Sequence, residues 1–164
     1  MLSIAKVGGG GKYHGYLTGE YYLDSGPAAV WMGEGATCLG LEGEVSEQQF
    51  RRLGAGFSPT GRKPKPLVMN AGMTTDHAKG TRGHVQGWDL TFSAPKSVSV
   101  LWAIGSGTVR EQITDCHRQA VRDALQYLED EAAWTRRGKS GERRTRAKLV
   151  VAGFDHSTDR KAHV

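Results

Sequence analysis

Residues 88–102, WDLTFSAPKSVSVLW, join a short strand to the start of a helix. Leu90 and Phe92 alternate with Asp89 and Thr91, and this period of two is typical of a strand with one buried face. When Leu90 and Phe92 face the core, Asp89 points to the opposite side. The pattern therefore predicts a strand that ends near Phe92 and carries an outward carboxylate.

A helix is predicted to follow this strand directly. Ser93 is a residue type that caps helices, and Pro95 is tolerated in a first helical turn. Val98, Leu101 and Trp102 then recur at spacings of three and four, on one side of a helix. A strand that continues through Leu101 is the alternative. The internal proline argues against it, because proline cannot donate to a sheet ladder.

The composition is that of a water-soluble protein with a basic surplus. The 164 residues suffice for one domain with a core, and 38% hydrophobic and 24% charged residues argue against global disorder. The 22 Lys and Arg outnumber the 17 Asp and Glu, and the net charge of +5 favours an anionic partner. Cys38 and Cys116 have no paired spacing, so a reduced, cytoplasmic setting is expected. No apolar run is long enough to predict a membrane segment.

The N-terminal quarter of the chain shows two predicted elements and a glycine-rich segment. Residues 3–7 predict a strand. Tyr13, Leu17 and Tyr21 are spaced four apart, as on one side of a helix. Residues 31–43 contain so many glycines that we expect loop and short turns there.

The remaining pattern again alternates helices and strands. A short helix is predicted after Ser46, which has a Gln three residues later as in a capping box, and residues 54–87 form a long basic connection. Thr108 is the predicted cap of a long helix that runs to Ala132. Residues 149–154 have the apolar density of a buried strand.

This order predicts an α+β fold. We expect a central antiparallel sheet, with the strand ending near Phe92 in its middle and helices packed on one face. The helix over 108–132 would cross that face, and the other face would be left for a ligand.

Residues 136–148 carry the strongest nucleic-acid signal in the sequence. Their only acid is Glu142, and Gly138 and Gly141 are expected to break regular structure. Dense basic segments bind phosphate and release counterions, although solvated charge is the alternative explanation. The predicted DNA contacts in this segment are Arg136, Arg137, Arg143, Arg144 and Arg146.

The residues that could perform chemistry are a tyrosine cluster, Asp89 and two histidines, His156 and His163. A tyrosine hydroxyl can attack phosphorus when its proton is removed, since its ordinary pKa is about 10. Imidazoles and a carboxylate can hold a divalent ion over a phosphate. Each feature alone also has a structural explanation: tyrosines on helices usually pack in cores, and two histidines seven apart are more often unrelated.

Several blocks together resemble the N-terminal part of conjugative relaxases of the TrwC/TraI type, the MobF family of HUH endonucleases. The matching blocks stand in order along the chain: MLS at 1–3, YY at 21–22, WxGxGAxxLGLxG at 31–43, DLTFSAPKSVS at 89–99 and FxHxTxR at 154–160. The resemblance covers essentially the whole chain. It implies an α+β fold of the HUH type, with a palm that resembles an RRM domain. It also implies that residues 1–164 are a single relaxase domain that is truncated.

The resemblance also implies an activity and its nucleophiles. Such relaxases nick one strand of DNA at a plasmid origin of transfer through tyrosine attack, which leaves a 5′-phosphotyrosyl link and a free 3′-hydroxyl. The family has two pairs of tyrosines, and Tyr21 corresponds to the nucleophile of the second pair. Tyr13 corresponds to the nucleophile of the first pair, with Tyr16 as the alternative.

A metal site is implied as well. Asp89 corresponds to an aspartate that orients a metal histidine and accepts the tyrosine proton, and His156 matches the first of three metal histidines. The other two form a His-x-His motif, which either begins at His163 or lies wholly beyond Val164. The expected cofactor is Mg²⁺ or Mn²⁺, and cleavage by residues 1–164 alone is expected to be low. Lys96, within the matched run, is expected to contact DNA.

Three hypotheses follow for the function. The first is the DNA-nicking enzyme, with single-stranded DNA at an origin of transfer and other transfer proteins as partners. The second is a non-catalytic module that binds single strands through basic loops and stacking tyrosines. The third is a basic scaffold for other transfer proteins. The run from Asp89 together with His156 favours the first over the third, because a scaffold does not require those residues.

Overall fold

The computed structural model describes residues 1–7, 29–73, 80–81 and 83–156. Over these residues the protein has the predicted α+β class, with strands and helices interspersed along the chain. The strands are β1 (Leu2–Val7), β2 (Val30–Met32), β3 (Gly87–Phe92), β4 (Trp134–Arg137), β5 (Arg143–Arg146) and β6 (Val151–Gly153). The helices are α1 (Glu34–Cys38), α2 (Glu47–Gly54), α3 (Lys96–Ile104) and α4 (Gly107–Glu131).

The strands pair two by two. In the described part of the chain they form three two-stranded sheets, β1 with β3, β2 with β6 and β4 with β5, where the sequence suggested one central sheet. The β2–β6 and β4–β5 pairs are antiparallel. Strands of three and four residues offer few ladder bonds, so these pairs depend on packing against neighbouring elements.

The chain divides into two compact units. The helical unit comprises residues 1–5 and 89–148, and the second unit comprises residues 6–88 and 149–164. The prediction of a single truncated relaxase domain is not tested by this division. Among the described residues no helix is both long and apolar enough to cross a membrane.

The core of the second unit is built by the glycine-rich segment that was expected to be loop. That expectation is wrong for Trp31 and Met32, which belong to β2, and for residues 34–38, which form α1. Trp31, Ala36 and Leu41 are buried together, and β2 pairs with β6. Gly33 makes the turn between β2 and α1 possible, because its φ is 86° and a Cβ there would collide with the carbonyl oxygen of Leu149.

Two other predictions hold in this unit. Ser46 caps α2 as expected, its Oγ accepting from the Gln49 amide at 3.4 Å. The predicted strand near 149–154 is present but shorter, since only Val151–Gly153 pairs with β2. Phe154 then packs edge to face on Phe50 of α2, with ring centroids 5.7 Å apart.

The long connection after α2 is ordered by a histidine. His84 Nδ1 lies 3.1 Å from the carbonyl oxygen of Asn70, and its Nε2 lies 3.0 Å from that of Gly54. The imidazole edge also packs over Gly56, whose φ is 83°. The His84 side chain therefore contacts Gly54, Gly56 and Asn70. These contacts stabilise a connection that, where described, contains no helix or strand between α2 and β3.

β3 is followed by α3, the first helix of the helical unit. The strand prediction is confirmed, but Ser93 is not the helix cap: α3 starts at Lys96 with Pro95 at the N-cap position and no side-chain cap bond. Ser93 instead continues the strand pairing, since its amide donates to the Met1 carbonyl at 2.8 Å and its carbonyl accepts from the N-terminal ammonium at 2.6 Å. Because this pairing keeps Ser93 extended, the helix starts three residues later, at Lys96.

The long helix α4 lies where the periodicity placed it, but its cap differs. Ser106, and not Thr108, accepts the Val109 amide, at 3.5 Å. Arg110 then reaches back to the end of α3, where Nε donates to the Trp102 carbonyl at 3.0 Å and Nη2 to the Ala103 carbonyl at 2.8 Å. These bonds satisfy carbonyls that a helix C-terminus leaves without partners.

Candidate nucleic-acid interface

The arginine-rich segment after α4 is a β-hairpin. Residues 134–137 and 143–146 pair in antiparallel register, with Trp134 opposite Arg146 and Arg136 opposite Arg144. Gly138 and Gly141 interrupt the regular structure as expected, because they lie between the two strands. Both glycines have positive φ, 89° and 68°, and they form the turn that brings the two basic strands together.

The register sorts the hairpin side chains into two faces. Opposed residues share a face and successive residues alternate, so the two strands contribute two residues each to either side. We call one side the tryptophan face; it consists of Trp134, Arg136, Arg144 and Arg146, all exposed. The threonine face consists of Thr135, Arg137, Arg143 and Thr145, of which the two threonines are half-buried.

Trp134 is the fixed point of the tryptophan face. Its Nε1 donates to the carbonyl of Glu131, the last residue of α4, at 3.2 Å. The guanidinium carbons of Arg144 and Arg146 lie 4.3 and 4.4 Å from the centroid of its ring. Such cation–π contacts hold the two arginine side chains against the indole, while 40% of Trp134 stays exposed.

The hairpin charges have few counter-charges. Within the described ranges no carboxylate forms an ion pair with any of the five hairpin arginines. Glu142 is the acid of the segment, and it lies in the turn beside Gly138. Exposed guanidinium groups of this kind can donate to phosphate oxygens.

Lys96, the remaining predicted DNA contact, is the first residue of α3 and is exposed. The first amides of a helix have no intrahelical partners and create a positive potential at that end. An exposed ammonium there adds to that potential. The arrangement is suited to an anion, and whether DNA contacts Lys96 stays a prediction.

Asp89 lies on β3, as the alternation predicted, and is half-buried. Phe92, three residues along, lines a cavity of about 550 Å³ together with Ile113 and Ala120 of α4. Side chains alternate along a strand, so Asp89 belongs to the side opposite Phe92 and faces away from α4. Its place on the strand agrees with the strand prediction, whereas its catalytic role stays a prediction.

The other predicted site residues are spread over the chain. His156 follows β6 by three residues, is exposed and belongs to the second unit, whereas Asp89 belongs to the helical unit. Within the described part of the chain, no group of three His, Cys, Asp or Glu side chains is suited to a metal. Tyr13, Tyr16, Tyr21 and His163 lie outside the described residues.

Trp134 is a residue of this site that was not predicted from the sequence. A signal for it exists, because Trp134-Thr135-Arg136 and Arg144-Thr145-Arg146 both alternate with period two. Two alternating triplets on either side of a glycine-containing turn predict a hairpin with the tryptophan and arginines on one face.

The sequence resemblance is confirmed by comparison with known families. The sequence model of the TrwC relaxase family matches residues 7–163. The chain therefore belongs to the TrwC relaxase family.

Characterised relatives and solved structures agree with this assignment. The multifunctional conjugation protein TraI of Escherichia coli strain K12 is 36% identical over 164 residues, and a second Escherichia coli TraI is 35% identical. The metal-bound structure of the conjugative relaxase TrwC in complex with oriT DNA has a TM-score of 0.76 at 31% identity. The structure of TrwC complexed with a 27-mer DNA comprising the recognition hairpin and the cleavage site has a TM-score of 0.72 at 31% identity.

The chain corresponds to only part of each relative. The TraI alignments cover 98% of this chain and 8% of each TraI protein. The two TrwC structures match 99% of this chain and 53% and 51% of their own chains.

Proposed function

We propose that this chain contributes the N-terminal part of a DNA-nicking domain that binds single-stranded DNA at an origin of transfer and cleaves one strand by transesterification. The observation that carries the proposal is the match of 99% of the chain, at a TM-score of 0.76, to a relaxase solved with oriT DNA and metal. Membership of the TrwC relaxase family over residues 7–163 supports it independently.

The proposed nucleophiles are Tyr21 and Tyr13, with Tyr16 as the alternative to Tyr13. The phenolic oxygen attacks the scissile phosphorus and forms the tyrosyl–phosphorus bond, and the bond from phosphorus to the 3′ oxygen breaks. The 5′-phosphate is then linked to tyrosine, and the departing strand ends in a 3′-hydroxyl after taking up a proton. Water hydrolyses no phosphodiester in this exchange, so the energy of the original bond is retained in the tyrosyl ester. The 3′-hydroxyl can therefore attack that ester and rejoin the strand.

Asp89 is the proposed acceptor of the tyrosine proton. A phenol with an ordinary pKa of about 10 is mostly protonated at neutral pH, so attack requires a base. The carboxylate of Asp89 belongs to the side of β3 away from α4, and its partial burial restricts its rotamers. Both features are consistent with a base held in one orientation.

The proposed metal ligands are His156 and His163, with Mg²⁺ or Mn²⁺ as the ion. An imidazole such as that of His156 favours transition metals such as Zn²⁺, Cu²⁺ or Ni²⁺, and Mg²⁺ or Mn²⁺ at this site would need oxygen ligands as well. A relaxase of this family has been solved in a metal-bound form. The described part of the chain supplies only His156 of this set. A bound ion would offset the charge of the scissile phosphate.

DNA binding is proposed to involve Lys96 and arginines drawn from the hairpin, and which of its two faces supplies them is a separate question. Each guanidinium or ammonium that meets a phosphate releases condensed counterions, so affinity should fall as salt rises. The exposure of these side chains, and the absence of carboxylate partners for the arginines in the described ranges, support this part of the proposal.

A nicking assay tests the proposal. A labelled oligonucleotide that carries an origin of transfer is incubated with Mg²⁺ or Mn²⁺, and covalent adducts are resolved on denaturing gels. The 164-residue chain and the polypeptide that its gene encodes are compared. We expect adducts from the latter and few from the former, with Tyr21→Phe and Tyr13→Phe each reducing them and Tyr16→Phe mattering less.

Tyr127→Phe is the matched control, because Tyr127 is 68% exposed on α4. It should leave adducts unchanged. Undiminished adducts in the Tyr13, Tyr21 double variant would remove both residues from the mechanism. DNA binding without adducts in any form of the protein would instead favour a non-catalytic single-strand-binding module.

A further inference from the structure

We infer that the hairpin contacts DNA through its tryptophan face alone, with Trp134 and the arginines packed on it forming a platform for an unpaired base and its flanking phosphates. The inference rests on the proposed function, because it takes single-stranded DNA as the ligand. It adds a residue, Trp134, and divides the five predicted arginines into three that bind and two that do not.

The platform is held in place before any ligand arrives. The Trp134 indole is fixed by its hydrogen bond to Glu131 at the end of α4, and Arg144 and Arg146 lie within 4.4 Å of the ring centroid. Side chains that are already ordered lose less conformational entropy on binding. A tryptophan ring and guanidinium planes are also the surfaces on which nucleic-acid bases stack.

The charges of this face match a polyanion. Arg144 and Arg146 are two residues apart on β5, so their Cα atoms are separated by about 6.8 Å along the strand. Arg136 lies directly opposite Arg144 on β4. The face thus carries three cations, two of them packed on its one aromatic ring, and no carboxylate.

The threonine face is unsuited to the same ligand. Thr135 and Thr145 are half-buried, and the Thr145 hydroxyl oxygen is inaccessible to solvent and has no hydrogen-bond partner among the described residues. The middle of this face is therefore covered by protein. Arg137 and Arg143 are exposed at the turn end of the hairpin, but no aromatic ring lies on their face.

Two charge-matched double variants of the 164-residue chain test the assignment. Arg144→Gln with Arg146→Gln, and Arg137→Gln with Arg143→Gln, each remove two positive charges from the same hairpin. Binding is measured by anisotropy of a fluorescein-labelled oligothymidylate at several salt concentrations. The first variant should bind about tenfold more weakly, and the slope of log K against log salt should become shallower by about 1.4, as expected for two lost phosphate contacts.

The second variant should bind within about twofold of the unmodified chain. Circular dichroism checks that both variants keep their helix content. Equal weakening of the two variants, or the reverse order, would overturn the face assignment and leave the proposed function standing. If the unmodified chain does not bind the oligothymidylate at all, the inference and the proposed DNA binding fail together.

Substitutions of Trp134 test the stacking step separately. Trp134→Ala should weaken oligothymidylate binding by about fivefold or more, whereas Trp134→Phe, which keeps an aromatic ring, should restore most of it. Binding to an abasic deoxyribose-phosphate oligomer of the same length should change little in either variant, since it has no base to stack. An equal loss for both oligomers would show that Trp134 only supports the fold of the hairpin.

Discussion

His84→Phe should loosen the connection between α2 and β3. The substitution keeps a ring over Gly56 but removes both polar contacts, the 3.1 Å contact to the Asn70 carbonyl and the 3.0 Å contact to the Gly54 carbonyl. A neutral imidazole carries one hydrogen, so at least one of these is a hydrogen bond at any time. The Asn70 carbonyl still accepts from the Met73 amide at 3.1 Å, so only the half-buried Gly54 carbonyl loses its donor. At about 1 kcal/mol for the hydrogen bond, plus the cost of leaving the Gly54 carbonyl without that donor, we expect a loss of about 2 kcal/mol.

Urea denaturation and amide hydrogen exchange measure this effect. The Leu67 and Gly72 amides donate to Gly56 and Ala55, close to the histidine, so their exchange should accelerate while amides of α4 keep their protection. His117→Phe is the matched control, since the His117 ring makes no hydrogen bond to other described residues. Unchanged stability together with unchanged exchange at Leu67 and Gly72 would refute the role given to His84.

Three further substitutions test the packing described above. Gly33→Ala should lower the urea midpoint by the equivalent of about 2 kcal/mol or more, because the new Cβ is strained at a φ of 86° and also collides with Leu149. Gly40→Ala is the control: its φ is 68° but the space around it is open, so its loss of stability should be about half as large. Leu41→Ala removes a side chain that is 2% exposed and should destabilise the protein by about 3 kcal/mol in thermal unfolding. Ser106→Ala should destabilise α4 by about 1 kcal/mol, measured by helix ellipticity on heating, whereas the same change at Thr108 should have a smaller effect.

The elements with a strong period could be predicted from the sequence. The alternation of Leu90 and Phe92 gave the strand, and the three- and four-residue spacing gave α4 over nearly its full length. Their ends were less predictable, because Ser93 pairs with Met1 and because Ser106 caps α4 in place of the predicted Thr108. Such competition between local signals is decided by contacts that a sequence pattern does not contain.

The segment around Trp31 shows the opposite case. Its glycines suggested loop, yet β2 forms because it pairs with β6, more than a hundred residues away. The same glycines allow the turn at Gly33 that begins α1. Partners distant in sequence, and not local propensity, determine this part of the fold.

The candidate site was predictable in its charge and not in its shape. The arginine run indicated an anionic ligand. Only the pairing of β4 with β5 shows that the arginines lie on two faces, that Trp134 shares its face with three of them and that it contacts two. The position of Asp89 followed from alternation alone. The roles of Tyr13, Tyr21 and His163 come from the family resemblance, and they stay predictions.

The most direct test of the proposed function is to identify the covalently modified residue. The protein that the gene encodes is incubated with an origin-of-transfer oligonucleotide and a divalent metal, digested with protease and nuclease, and analysed by tandem mass spectrometry. We predict a peptide that carries a 5′-linked nucleotide on Tyr21 or Tyr13. A nucleotide attached to Tyr127 or to a residue other than tyrosine, or cleavage with no covalent product, would contradict the proposed mechanism.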